Sequence, residues 1–302
     1  MIDISIIIPH YNSWDYLVEL LETIPLKDEI EIIVVDDNSP DQEEKLKFMS
    51  KKYPHALFVK NNSSNKGAGA ARNIGIEISN GRWILFADSD DLFDKDFFKK
   101  IEKYINTNYD IVYFSPYSIN INGENSKRHV MYKEYVNNYV KESNDFNKLK
   151  LKYYFVVPWS KLINRKVIIE NKIEFEEIMY SNDILFSAKT GYYSNKIKAD
   201  NNTIYIVRES EKSLTSNTDY KKFTIRFDAW RNYILFLRNN LKKEEVKILN
   251  LSAMTQLVQI KQKKLGIKEL IYVLKNCLIY QIPIIDKRII DINYVKKYLM
   301  NK

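Results

Sequence analysis

Three carboxylates fall within four residues at Asp88-Ser89-Asp90-Asp91, directly after the apolar run 83–87. Carboxylates this close repel one another, and a hard divalent cation relieves the repulsion by taking oxygen ligands. In an extended segment Asp88 and Asp90 project to the same side. An acidic turn that caps a helix beginning near Lys95 is the other reading of the same residues.

Asp36 and Asp37 close the β-rich run 31–35, where a carboxylate can accept hydrogen bonds from a ribose or a base N–H. Asn38, Ser39, Pro40 and Asp41 also supply the chemistry of an Asx-turn with a helix N-cap, and both readings fit together. Lys66-Gly67-Ala68-Gly69-Ala70-Ala71-Arg72-Asn73 opens a helix after a polar loop. Backbone N–H groups at a helix start, with Lys66 and Arg72 nearby, favour anions. It is no dinucleotide fingerprint, because the third glycine would fall at Arg72. Asp183 stands at a helix start, as an N-cap or as a general base. Arg208, Lys212, Ser213 and Thr215 then offer donors that could close over phosphates, or simply a solvated loop.

These residues need elements to hold them. Through the first hundred positions, β-rich runs at 4–8, 31–35, 56–59 and 83–87 alternate with helical patterns at 14–24, 42–52 and 70–79. That alternation predicts βαβ units and a parallel sheet. The runs lack period-two alternation, as expected of strands covered on both faces. Ligands bind beyond the carboxyl ends of such strands, so Pro9-His10-Tyr11-Asn12, 36–39 and 88–91 are expected to converge. Between 110 and 220 the pattern is mixed: strands at 111–114 and 203–207, a helix over 182–193 and a polar excursion at 120–128. Beyond 220, Phe223, Phe227, Trp230, Ile234 and Leu237 recur at helical spacing, as do Ile248, Leu251, Met254 and Leu257. The expected division is therefore an α/β domain over 1–220 and a mainly helical region over 221–302.

The chain has 302 residues, 45% of them hydrophobic, enough for a large core and against disorder. A single cysteine, Cys277, allows no intramolecular disulfide, which fits a reducing cytoplasm. No basic leader precedes the first strand, and no run of about 18 apolar residues occurs, so neither signal peptide nor membrane span is expected. Residues 221–302 hold 18 Lys and Arg against 6 Asp and Glu, a net +12, which leaves −4 for the first 220 residues of the total +8. A regional basic excess suits a solvated lysine-rich face, an anionic membrane surface, an anionic acceptor or nucleic acid.

The opening strand with Pro9, Tyr11 and Asn12, the segment Val34-Val35-Asp36-Asp37-Asn38-Ser39, Gly67 through Asn73, and Asp88-Ser89-Asp90-Asp91 as a DXD-type element together resemble the GT-A glycosyltransferases of family 2. These four cover residues 3–100, in the family's order. Pro158-Trp159-Ser160-Lys161-Leu162-Ile163 resembles the tryptophan and lysine segment of polysaccharide-building members. Asn182-Asp183 aligns with the family's usual Glu-Asp base segment, with Asn182 in place of the Glu.

The resemblance implies a GT-A, Rossmann-like, mostly parallel sheet flanked by helices, with a helical C-terminal region. It implies that Pro9, Tyr11, Asn12, Asp37, Lys66, Arg72, Asp88 and Ser89 hold the nucleotide and that Asp90 ligates Mn2+ or Mg2+. Asp183 would be the general base, Trp159, Lys161 and Asn182 would line the donor or acceptor sugar, and Arg208 and Ser213 would close the diphosphate loop. The implied reaction is inverting transfer from a nucleoside diphosphate sugar, UDP as first choice, to a hydroxyl of a surface glycan or glycolipid. Apart from the resemblance, the cysteine count and the absent leader lead to an expected cytoplasmic location, and the basic region to an expected peripheral contact at the inner face of the plasma membrane or a partner surface. A non-catalytic nucleotide-sugar binder and a metal-dependent nucleotidyltransferase are the rivals. A nucleic-acid partner is not expected, since charge alone supports it.

Overall fold

The computed structural model describes residues 2–40, 42–209 and 219–285. The chain divides into two compact units, Met1–Ser213 and Leu214–Lys302. The first runs β1 (Ile4–His10), α1 (Trp14–Glu22), β2 (Ile30–Asp36), α2 (Gln42–Lys52), β3 (Ala56–Lys60), α3 (Ala68–Ile78), β4 (Trp83–Phe86), β5 (Leu92–Phe93), α4 (Phe97–Ile105) and β6 (Ile111–Asn120). It continues with α5 (Val130–Lys141), α6 (Asp145–Tyr154), β7 (Lys161–Asn164), α7 (Arg165–Glu170), α8 (Asp183–Tyr193) and β8 (Ile197–Glu209).

One eight-stranded sheet takes the order β3-β2-β1-β4-β7-β6-β8-β5. β1 pairs in parallel with β2 and β4, and β2 with β3. β4 and β6 both run antiparallel to β7, and β8 is parallel to β6. Six strands therefore point the same way, and their carboxyl ends share one edge. All seven residues of β1 are buried, which explains why this strand reads as an unbroken apolar run. Gly75 lets α3 press onto the sheet, since a Cβ there would lie 2.3 Å from Ile7 Cγ2. α4 shows the other pattern, burying Phe97, Ile101, Tyr104 and Ile105 along one face.

Residues 110–220 depart most from expectation. The strand at 111–114 extends to Asn120 and the one at 203–207 fills 197–209. α5, α6, α7 and the antiparallel β7 were not anticipated. The polar excursion folds back on β6, with Asn120 N–H on Glu124 O at 2.8 Å and Ser126 N–H on Ser118 O at 3.0 Å.

The second unit contains α9 (Tyr220–Asn240), α10 (Lys243–Leu249), α11 (Met254–Gln262) and α12 (Ile267–Ile279). Asp219 caps α9 by accepting from Lys222 N–H at 2.7 Å. Arg231 bridges Asp228 (2.7 Å) and Asn276 (2.8 Å), and Tyr272 Oη donates to Asp228 at 2.8 Å, so α12 is tied to α9. Cys277 of α12 is a buried free thiol. Among the described residues, no helix is long and apolar enough to cross a membrane.

Candidate active site

The loops at the shared edge are cross-linked before any ligand is considered. In register, His10 stands beside Asp36. His10 Nε2 accepts from Ser13 N–H at 3.1 Å, which assigns the proton to Nδ1 and directs it to Asp36 Oδ1 at 2.7 Å. Asp36 also accepts from Ser39 N–H (3.0 Å), Ser39 Oγ (2.5 Å) and the Gln42 amide. Burial alone would raise this carboxyl, but the His10 and Ser39 hydrogen bonds outweigh it and hold Asp36 below the usual range. Asn12 N–H donates to Ser39 Oγ at 2.7 Å, joining the loops after β1 and β2. Asn12 (φ 47°) and Asn38 (φ 65°) both take the left-handed backbone that asparagine tolerates better than most residues.

Asp37 turns the other way. Its Oδ1 accepts from Asn61 Nδ2 at 2.7 Å and its Oδ2 from Gly67 N–H at 2.6 Å, so it covers the start of α3. That bond occupies one of the backbone N–H groups at the helix start that an anion would use. Gly67 is needed for its φ of 104°, and Gly69 because a Cβ there would lie 2.3 Å from Glu176 O. Asn73 completes the clamp, donating to Phe175 O at 3.0 Å and accepting from Phe175 N–H at 2.8 Å. The glycines serve close packing against the loop before α8.

Arg72 emerges from α3 buried. It donates to Asp88 Oδ1 at 2.5 Å and to Asn182 Oδ1 at 2.9 Å, and its guanidinium lies 5.2 Å from the Phe175 ring centroid. Phe175 stacks on Phe186 at 3.7 Å, and both rings meet Phe86 of β4 edge-on. That aromatic cluster seats the start of α8, and with it Asp183, close to the acidic turn.

The turn itself hangs on one tyrosine. Tyr205 Oη accepts from Asp88 N–H at 2.8 Å and donates to Asp91 Oδ2 at 2.8 Å. Asp91 Oδ1 accepts from Arg208 N–H at 2.7 Å. Burial, then the charges of Asp88 and Asp90, push the Asp91 carboxyl well above the ordinary range despite these bonds. Ser89 Oγ lies 2.8 Å from Ser13 Oγ and is buried, tying the turn to the β1–α1 loop rather than opening toward a nucleotide.

Asp90 is solvent-exposed, and among the described residues its carboxylate accepts no hydrogen bond from another residue. Crowding by surrounding protein and the Asp88 charge raise its pKa. Asp183 likewise receives no hydrogen bond from another described side chain or backbone group. Desolvation raises it, Arg72 opposing and Asp88 adding to the effect. These two carboxylates, both within electrostatic reach of Asp88, are the ones left free to act.

Other expected residues fall elsewhere. Pro9 is buried within β1. Trp159 and Lys161 do not line the crevice: they are 2% and 0% exposed. Trp159 stacks on Tyr205 at 5.6 Å, beneath the acidic turn. Lys161 Nζ donates to Phe155 O at 2.6 Å between the rings of Phe155 (4.9 Å) and Tyr113 (5.4 Å), and burial pushes its pKa down to about 7, the Asp183 charge opposing. Asn182 is also buried, accepting from Arg72. Arg208 pairs with Glu19 at 2.5 Å and lies over Tyr16 at 4.9 Å, yet its charge reaches Asp90. Lys66 and Tyr11 are exposed, Tyr11 at 61%. Ser213, Lys212 and Thr215 lie outside the described residues. Sequence reading missed Arg128 and Tyr132 of the 120–141 stretch, whose charge or hydroxyl acts electrostatically with Asp90 and Asp183. Helical spacing from His129 to Val136 was the available signal.

A family model described as Glycosyl transferase family 2 matches residues 5–171. The poly(ribitol-phosphate) beta-glucosyltransferase of Bacillus spizizenii is 30% identical over 222 residues, 70% of this chain and 33% of that protein. The poly(ribitol-phosphate) beta-N-acetylglucosaminyltransferase TarS of Staphylococcus aureus is 28% identical over 214 residues, 68% of this chain and 35% of that protein. The chain thus spans about a third of the length of these curated relatives. Among solved structures, S. aureus TarS 1-349 in complex with UDP-GlcNAc superposes with a TM-score of 0.64 at 23% identity, covering 82% of this chain and 71% of that one, which shows the shared GT-A fold.

Proposed function

The chain belongs to glycosyl transferase family 2, and from that premise we propose that it transfers a sugar from a nucleoside diphosphate donor to a hydroxyl of a cell-surface glycan. The observation that carries this is the pair of unpartnered carboxylates, Asp90 and Asp183, at the strand-end crevice. A UDP-sugar donor is supported by the relative solved with UDP-GlcNAc, and a polyol-phosphate or similar surface polymer by the poly(ribitol-phosphate) transferases.

A divalent cation fits the donor set. Both oxygens of Asp91 are engaged by Tyr205 and Arg208 and Asp88 Oδ1 by Arg72, which leaves the Asp90 carboxylate and Asp88 Oδ2 as uncommitted hard oxygen ligands. Among the described residues no group of three or more His, Cys, Asp or Glu could hold a metal ion alone, so the remaining ligands would be diphosphate oxygens and water. Mn2+ or Mg2+ bound there supplies charge neutralisation at the departing diphosphate.

The chain's own residues do the rest. Exposed Tyr11 and Asn12 offer an aromatic face and an amide to the base, and Arg72 fixes Asp88 for the ribose side. Asp183 takes the proton from the acceptor hydroxyl as its oxygen attacks the anomeric carbon opposite the leaving group, which inverts configuration. A raised pKa makes the ionised Asp183 a stronger base. The test is a panel of nucleotide sugars assayed for nucleoside diphosphate release, with and without Mn2+, on wild type and Asp90→Ala. Release from one donor that requires both metal and Asp90 is expected; absence of nucleotide binding across the panel overturns the reading.

A further inference from the structure

α12 carries an exposed apolar stripe in addition to the face it buries. Glu269, Val273, Asn276 and Cys277 are buried in the second unit. Ile267, Ile271, Leu274 and Leu278 are 66%, 57%, 38% and 82% exposed. Their spacing is i, i+4, i+7 and i+11, which at about 100° per residue gathers them into a stripe roughly 60° wide, on the side away from Asn276 and Val273. Four large aliphatic side chains in one exposed line are not scattered surface residues.

The charges beside the stripe choose its occupant. Lys268 and Lys275, each one step past a stripe residue, lie exposed along the same flank. From 254 to 285 the chain has five lysines and one acidic residue, and that residue, Glu269, faces inward and is buried. A second copy of this helix would bring lysine flank against lysine flank with no outward carboxylate to pair them. An anionic bilayer accepts both halves, since the aliphatic stripe sinks among acyl chains while the lysines reach up to phosphate headgroups.

We propose that the outward face of α12 is a docking surface for an anionic phospholipid membrane. The full chain is sedimented with vesicles of equal parts phosphatidylglycerol and phosphatidylcholine. Wild type is expected in the pellet. Ile271→Ser with Leu278→Ser is expected to weaken partitioning at least about tenfold, with an unchanged melting curve because both side chains face solvent. Lys268→Gln with Lys275→Gln is expected to remain salt-sensitive but weaker. The proposal is overturned if wild type stays in the supernatant, if the serine variant pellets like wild type, or if light scattering shows a dimer that the serine variant dissolves. The assay reads no turnover, so its outcome is separate from that of the donor panel.

Discussion

The Arg72 guanidinium reaches 2.9 Å to the side-chain oxygen of Asn182, across 110 positions of chain. The same group holds Asp88, so the acidic turn and the start of α8 share one support. Lysine cannot reproduce the two-pronged contact. Arg72→Lys is expected to lower kcat/KM at least about tenfold and to cost about 1.5–3 kcal/mol in denaturant unfolding, as charged hydrogen bonds are lost.

Asp183→Asn keeps the shape of the helix start and removes the base. Transfer to acceptor should fall by roughly 10²–10⁴-fold, while donor nucleotide affinity, measured by calorimetry, stays within a factor of about three of wild type by the same argument. Loss of affinity in parallel with turnover would assign Asp183 to binding instead.

The raised pKa of Asp183 has two signatures of opposite benefit. Its activity requires the ionised form, so kcat/KM should rise from acid through an apparent pKa above the ordinary aspartate value near 3.9. For stability the sign reverses. A carboxyl whose folded pKa exceeds its unfolded one contributes most below the unfolded value and loses that contribution as pH rises through the folded one. Asp183→Asn should therefore raise Tm at pH 8, with the gain shrinking toward pH 4.

Asp90→Ala removes the uncommitted carboxylate and leaves the Asp88 and Asp91 contacts intact. Mn2+-stimulated release of nucleoside diphosphate should drop by roughly 10²-fold or more, since leaving-group stabilisation is worth several kcal/mol. Chelation of wild type should bring it to the same floor, and addition of metal should not rescue the variant.

Gly69→Ala places a methyl group 2.3 Å from Glu176 O, against backbone that cannot step aside. Overpacking of this kind costs about 1–3 kcal/mol, to be read by denaturant titration. Since the displaced loop leads into α8, turnover should fall too.

Much of the nucleotide-side architecture was readable because its physics is local. Runs such as 4–8 and 31–35 have no alternation, and that pattern identifies strands buried on both faces. The strand-end rule then located the loops at Tyr11, Asp37 and Asp88. Lys161 was misread for a physical reason: a lysine is rarely fully buried, and only the aromatic shelf of Tyr113 and Phe155 with the Phe155 carbonyl makes it tolerable. The partners of Asp37 and Ser89 were hidden because a sequence does not reveal which polar group arrives from a distant loop. The packing role of Gly69 is hidden in the sequence because its neighbour, Glu176, lies far along the chain. Arg128 was hidden in a polar stretch that resembles solvated loop.

The acidic turn is anchored at its start by β4, near the middle of the sheet, and at its end by β5, which pairs with β8. During translation β4 and the turn leave the ribosome long before Tyr205 and Arg208 do. Until those residues arrive, Asp91 has neither of its donors, and the turn is held only by the Arg72 contact of Asp88 and the Ser13 contact of Ser89. A product cut short before β8 would keep its βαβ units and the turn's sequence, but not the clamp. The fold therefore makes the last strand of its sheet the checkpoint for the first half of its chemistry.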